Sequence, residues 1–504
     1  MSGESNCGNW ITGMRNSKFY LMLLIALFYS CPSNRDNIQG NLYKHVSYLA
    51  SDELRGRYST TRGDTLAREY IINYYKKLGL SEYHGSYLQG FDFLSNILAD
   101  GKINIETPET TLTLNRGSDF FVRLSSGSAK ITHCGVVFIG AGIHLKRNTK
   151  RLPDSISGKI VITYLYPYKG FYKKYPGNST LSLQELINLL IHREVKGIIF
   201  IRPSEKIGKF SRIEDRYPYP QNLTQYPIPI VELKRQCLRR ILKLININPD
   251  SLEEKAKPAE KLHVATLPDL RLSINLSVQY VYKKAYNVIG VLGGHDTTKV
   301  IIAGAHYDHL PPKRIEGTTD SIRNGADDNA SGVALLLELA GVMKRQKKPD
   351  YSIIFVCFGA EESGRLGSAH FLEKYRNELP GIKAMVNFDM VGRMRDNKLY
   401  ISFTWSNEKW KELLNGLKDC GINMVIDSLN PLSDSDVFLK KGIPTICITT
   451  GPHEDLHRVT DSIGKINFEG MVRIHKLAVL ILQRIPEIFE EHPVTKKPGY
   501  PTFF

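Results

Sequence analysis

With 504 residues, 42% of them hydrophobic, the chain can bury a large core divided among two or three folding units, which excludes a disordered protein. Lys and Arg total 67 against 51 for Asp and Glu, a net charge of +16, yet no basic patch with interleaved aromatics and no nucleic-acid motif is present, so nucleic acid is excluded as a partner. The run Lys344, Arg345, Lys347, Lys348 reads as the solvated end of a helix, and the basic excess suits a polyanionic cell envelope.

At the N-terminus, Arg15 and Lys18 precede the apolar run 19–29, FYLMLLIALFY, which is too short to span a bilayer and suits a signal-peptide core. Cys31, after Ser30, resembles the lipidated cysteine of a bacterial lipoprotein, although Phe28 and Tyr29 are bulkier than the small residues usual there. Residues 1–31 are therefore expected to be a leader, and Met14 would open a more ordinary one than Met1. The expectation is export to the periplasm or cell envelope with membrane attachment through Cys31, or secretion after simple cleavage. Cys7, Cys134, Cys237, Cys357, Cys420 and Cys447 show no metal-site spacing and read as core residues, with one disulfide allowed.

From 41 to 80 the pattern is helical, with apolar positions at Val46, Leu49, Tyr70, Ile71, Tyr74 and Leu78 around a Gly- and Thr-containing turn. After about residue 100 short apolar strands take over: CGVVFIGAGI at 134–143, GKIVITYL at 158–165, GIIFI at 197–201 and IPIVEL at 228–233. Near 286 strands begin to alternate with helices, the pattern of an α/β domain on a twisted, mostly parallel central sheet flanked by helices.

Apolar strands of that last part run into acidic or histidine residues. KVIIAGAHYDH reaches His306, YSIIFVCFGAEE reaches Glu361 and Glu362, KAMVNFDM reaches Asp389, and PTICITTGPHEDLH leads to His457. Asp327 and Asp328 in NGADDNASG lie in a loop before an apolar helical run. Sites on open α/β sheets form beyond the carboxyl ends of the strands, so these residues are predicted to converge. Histidine nitrogen and carboxylate oxygen without cysteine suit a hydrolytic zinc site, and a carboxylate able to bridge allows two ions.

The order AHYDH, GADDNASG, AEES, NFDMVGR and DLHRVTDS resembles the M28 family of zinc aminopeptidases over about 280–480. LASDELRGR and KLGL resemble the start of that family's peptidase domain, and GAGI, SGKIVI, EVKGIIFI and YPIPIVEL are similar to its inserted protease-associated domain. The resemblance divides the chain into 37–105 as the first part of the peptidase domain, 106–272 as the insert, 273–490 as the catalytic domain and 491–504 as a tail. It implies two zinc ions per chain and peptide substrates with a free N-terminus. Asp327 would bridge, Glu362 and His457 would complete one ion, and His306 and Asp389 the other. Glu361 matches the general base, and Asp308 would orient the ring of His306. Asp328 would then be structural, and His309 and His453 peripheral. Ser435 stands where the family often has a histidine, in Ser433-Asp434-Ser435, which bears on rate or specificity rather than on metal. A carboxypeptidase or a glutaminyl-cyclase-like enzyme on the same scaffold remains an alternative, as does a binding protein without activity; the presence of every expected ligand argues against the last.

Overall fold

The computed structural model describes residues 32–144, 146–165, 180–202, 213, 219–256, 262–313, 321–403, 408–427 and 433–488. The expected leader 1–31, with Cys31, and the tail 491–504 lie outside them. By internal contacts the chain forms two units, one of residues 1–91 with 285–504 and one of residues 92–284.

Helix α1 (Pro32–Leu49) buries Leu42, Val46 and Leu49, and α2 (Arg62–Leu78) buries Ala67, Ile71 and Tyr75, spacings of three and four that give each one apolar face. Thr61 caps α2 by accepting from the Asp64 amide, and Gly79, left-handed at φ 66°, ends it. The chain enters the second unit within β1 (Leu88–Glu106).

The second unit contains β2 (Thr111–Asn115), β3 (Phe120–Val122), β4 (Ala129–Ile139), β5 (Ile160–Tyr164), α3 (Leu183–His192), β6 (Gly197–Arg202), β7 (Ile230–Lys234), α4 (Arg235–Leu244) and α5 (Pro249–Ala256). Strands β4, β5, β6 and β7 pair in parallel, in that order. Their side chains alternate between two cores: Phe138, Ile162 and Ile201 meet Leu238 and Ile241 of α4, while Val137, Val161 and Phe200 meet Leu186 and Leu190 of α3. Ile97, Ile103, Ile274 and Leu276 belong to the first of these cores. The unit therefore reaches beyond the 106–272 read from the sequence, because the strands at both of its ends bury their apolar faces inside it.

The chain returns within β8 (Val264–Leu292) and continues through β9 (Asp296–His306), α6 (Gly332–Arg345), β10 (Tyr351–Phe358), α7 (Leu366–Lys374), β11 (Ile382–Phe388), β12 (Lys398–Phe403), α8 (Glu408–Asn415), β13 (Asn423–Asp427), α9 (Asp434–Lys440), β14 (Thr445–Thr449) and α10 (Phe468–Ile488). The strand order here is β13-β12-β14-β11-β9-β10-β8. Neighbours β14, β11, β9 and β10 are mutually parallel, and antiparallel pairs join β12 to β14 and β8 to β10. The expected α/β class with a mostly parallel sheet and flanking helices is what the unit adopts.

The parallel strands are buried on both faces, which is why they read as continuous apolar runs. Ile353, Phe355 and Cys357 face one core and Ile354, Val356 and Phe358 the other. Helix α6 is buried from Gly332 to Gly341, and each fully buried leucine in it contributes roughly 1.5–3 kcal/mol. Its first residue must be glycine, since a Cβ at 332 would stand 2.5 Å from the Phe388 carbonyl oxygen. Among the described residues no helix is long and apolar enough to cross a membrane, and Cys134, Cys237, Cys357, Cys420 and Cys447 are free thiols.

Candidate metal centre

Because β9, β10, β11 and β14 run in parallel, their carboxyl ends share one edge, and the chain places polar residues just there. His306 is the last residue of β9, Glu361 and Glu362 follow β10 after a short turn, Asp389 follows β11, and the loop after β14 carries His453 and His457.

Buried His306 points Nε2 at Asp328 Oδ1, 3.3 Å away, and at Asp389 Oδ1, 3.4 Å away. The other Asp328 oxygen, Oδ2, lies 3.2 Å from His457 Nε2 and 3.7 Å from His309 Nδ1. Glu362 faces the same two rings, with Oε2 3.5 Å from His457 Nε2 and Oε1 2.8 Å from His309 Nδ1. Ligand atoms of His306, Asp328 and Asp389, and again of His309, Asp328 and Glu362, lie within 4.8 Å of one another.

These positions correct the sequence reading of the adjacent aspartates. It is Asp328, not Asp327, whose carboxylate lies between the two groups. Asp327 is engaged elsewhere: Oδ1 accepts from the Gly392 amide at 2.6 Å and Ser331 Oγ at 3.0 Å, and Oδ2 lies 3.1 Å from His453 Nε2. The cause is a break in the helix start, with Asp328 at φ −105° and ψ 92°, so consecutive side chains leave in different directions. His309 is also corrected, from peripheral to a member of the cluster, whereas His453 serves Asp327. Asp461 fixes the turn by accepting from the amides of Asp327 and Asp328 at 3.0 and 3.1 Å.

Asp308 does more than face His306. His306 Nδ1 is nearer the Asp308 carbonyl oxygen, 3.2 Å, than its Oδ1, 3.9 Å, and that Oδ1 accepts from the Glu361 amide at 3.0 Å. Asp308 thus ties the β9 end to the turn bearing Glu361. Ser433 Oγ donates to Asp389 Oδ2 and accepts from Asn387 Nδ2 at 2.9 Å, which fixes the Asp389 carboxylate. Ser435 is buried, and its Oγ has no hydrogen-bond partner among the described residues.

Two residues had no role in the sequence reading. Arg57 is buried, with its guanidinium donating to the carbonyls of Tyr307 (2.9 Å), Leu49 (2.5 Å), Asn324 (2.6 Å) and Gly325 (3.0 Å). It joins the segment after α1 to the β9 end and to the loop before Asp328. Arg393 donates to Asp455 at 2.9 Å, and Asp455 also meets Lys465, which anchors the loop bearing His457. Only the motif LASDELRGR hinted at Arg57, and nothing in it specified carbonyl partners.

The electrostatics follow from burial and crowding. Burial pushes Asp308 up to about 8, against the pull of His306 and with the push of Glu362. Burial also raises Glu361 well above the carboxylate range, opposed by His306 and helped by Asp434, Glu362 and Asp389. Asp328 goes well below it, because His309, His306 and His457 outweigh burial. Among the described residues, Glu362 Oε1 and both nitrogens of His309 are buried without a hydrogen-bond partner, being poorly aligned for each other despite their 2.8 Å separation. Buried polar atoms are rarely left so. Together with crowded carboxylates and an N/O donor set lacking sulfur, they fit divalent cations of the hydrolytic kind.

Comparison with known proteins agrees. The profile of Peptidase family M28 matches residues 287–482. A "Probable zinc metalloprotease" of Pyrenophora tritici-repentis is 38% identical over 103 residues, 20% of this chain and 23% of that protein. "Aminopeptidase YwaD" of Bacillus subtilis is 28% identical over 205 residues, 38% of this chain and 43% of that protein. The chain thus spans less than half the length of these curated relatives. Among solved structures, an aminopeptidase from Aneurinibacillus sp. strain AM-1 shares the fold with a TM-score of 0.51 at 18% identity, covering 92% of this chain and 96% of that one. The match to Peptidase family M28 over residues 287–482 thus spans the same stretch as the motif order read from the sequence.

Proposed function

We propose that this protein is an aminopeptidase working with two zinc ions, one held by His306, Asp328 and Asp389 and the other by Asp328, Glu362 and His457. The observation that carries this reading is the Asp328 carboxylate, which offers one oxygen to the His306 side and the other to the His457 side. Bound zinc would polarise the scissile carbonyl and make water acidic enough to react at neutral pH.

The chain's own residues supply the rest. Glu361 takes the proton of the attacking water and hands it to the departing amine. Its backbone is fixed by Asp308, so the carboxylate is aimed rather than free to wander. Burial and neighbouring carboxylates raise the Glu361 pKa, and cations held by the neighbouring ligands would oppose that rise and favour the ionised form that acts as base. Aminopeptidase rather than carboxypeptidase is favoured by the names of relatives such as "Aminopeptidase YwaD" and "Leucine aminopeptidase 1" of Trichophyton rubrum.

The test measures metal per chain and hydrolysis of aminoacyl chromogenic substrates beside N-blocked versions, for wild type and Glu361→Gln. Two ions, cleavage of free amines alone, and a variant that keeps its metal with kcat lower by about three orders of magnitude are expected. Turnover of blocked or C-terminal substrates would sink the aminopeptidase reading, and one ion with ring-closing activity would replace it by a cyclase.

A further inference from the structure

We propose that His309 is a further protein ligand to the ion of Asp328, Glu362 and His457, so that this position is closed while the His306 position stays open. The assignment rests on the two-ion reading above.

His309 is buried completely in the loop after β9, and neither ring nitrogen has a hydrogen-bond partner among the described residues. An imidazole taken out of water with both nitrogens idle is costly, so a group that uses one of them belongs there. Nδ1 is 2.8 Å from Glu362 Oε1, itself unpartnered, and 3.7 Å from Asp328 Oδ2. The ring also has a space kept for it, because a Cβ on residue 325 would come within 2.6 Å of His309 Cγ and Cδ2, and that residue is glycine. Across the cluster stands His457, its ring centroid 5.9 Å from that of His309 and its side chain 51% exposed. One ligand is thus built into the floor and the other arrives on a loop.

Zinc with four protein ligands has the complement of a structural site, whereas three leave a place for water or substrate. Asp328, Glu362, His309 and His457 fill one ion's shell. His306, Asp328 and Asp389 leave the other's open, so the reacting carbonyl and the substrate amine are expected on the His306 side. The closed position should load first and release last, giving two classes of metal that differ in affinity.

The experiment titrates metal-free full-length wild type, His309→Ala and His306→Ala with Zn²⁺ against a chromogenic chelator, and records the visible spectrum of the first Co²⁺ equivalent. Wild type is expected to bind one ion tightly and one more weakly, with an intense four-coordinate cobalt spectrum for the first. His309→Ala should weaken the tight class by about a hundredfold and dim that spectrum, while His306→Ala should weaken the other class. If His309→Ala folds poorly, as judged by circular dichroism and metal-free unfolding, His309→Asn decides by the same selective loss. Unchanged affinities and spectrum in a folded His309 variant would overturn the assignment. A single ion in wild type, weakened by His309→Ala, would overturn the two-ion reading while keeping His309 as ligand, and a single ion indifferent to the variant would overturn both.

Discussion

The unit of residues 1–91 and 285–504 buries carboxylates in two places and treats them in opposite ways. Glu338, buried on α6 beneath α1 and α2, receives Asn41 Nδ2 at 3.1 Å, Tyr74 Oη at 2.5 Å and His45 Nε2 at 3.2 Å, and these contacts outweigh burial to hold it below the usual range. At the strand ends, Asp308 Oδ2 and Glu362 Oε1 have no aligned hydrogen-bond donor among the described residues, and Asp308 and Glu361 are pushed upward instead. A carboxylate that holds helices together is surrounded by hydrogen-bond donors. One that serves chemistry is left short of them, and the deficit is what a cation fills.

Three measurements would break or sharpen this contrast. The largest effect is expected from Asp328→Asn, which should lose the shared ligand and with it metal retention and measurable turnover. The neighbouring Asp327→Asn should keep the metal content of wild type and lose only about 1–2 kcal/mol of stability, through its contacts with Gly392, Ser331 and His453. Metal analysis after dialysis, read with thermal unfolding, checks both, and equal metal loss in the two variants would undo the distinction.

Glu338→Ala should have the converse profile. Stripping the partner from His45, Tyr74 and Asn41 is expected to cost about 4 kcal/mol in urea unfolding, with metal per chain and kcat per folded molecule unchanged. A loss of metal in that variant would show that the helix network and the strand-end cluster are not separable.

Asp64 lies between the two regimes, and its effect is confined to one pH window. It accepts from Tyr307 Oη at 2.7 Å, but its Oδ2 has no hydrogen-bond partner among the described residues, and burial lifts it from 3.8 to about 6 against the pull of Tyr307 and Arg68. The folded state therefore holds a proton that the unfolded chain releases, so stability falls as pH rises through this window, and the whole cost applies above about 6. Asp64→Asn should match wild type near pH 4 and exceed it near pH 7 by up to about 3 kcal/mol. A constant difference across that range would show that Asp64 is not protonated in the fold.

The strand-end positions were legible because a strand buried on both faces is an uninterrupted apolar run, so the first His or acid after it marks the sheet edge. His306, Glu361, Glu362 and Asp389 could be located in that way, and the order of motifs pointed to the family. The choice between Asp327 and Asp328 could not be read, because it depends on a backbone break with no periodicity to reveal it. His309 was missed for a related reason: it lies one residue past Asp308, where the strand pattern has ended, and only the fold shows the ring turned toward Glu362. The limits of the strand-rich unit were displaced because β1 and β8 keep their alternation across the boundary, so texture alone had no edge to report.

The Arg57 guanidinium also sets an order of assembly. It joins carbonyls separated from it by 250, 267 and 268 positions, with the whole strand-rich unit intervening in sequence. Closing a loop of that size is slow, and the partners do not exist until the ribosome has passed residue 325. The early part of the nascent chain therefore waits with a cation and an unfinished pocket floor. A chain halted before that point carries no assembled strand-end cluster.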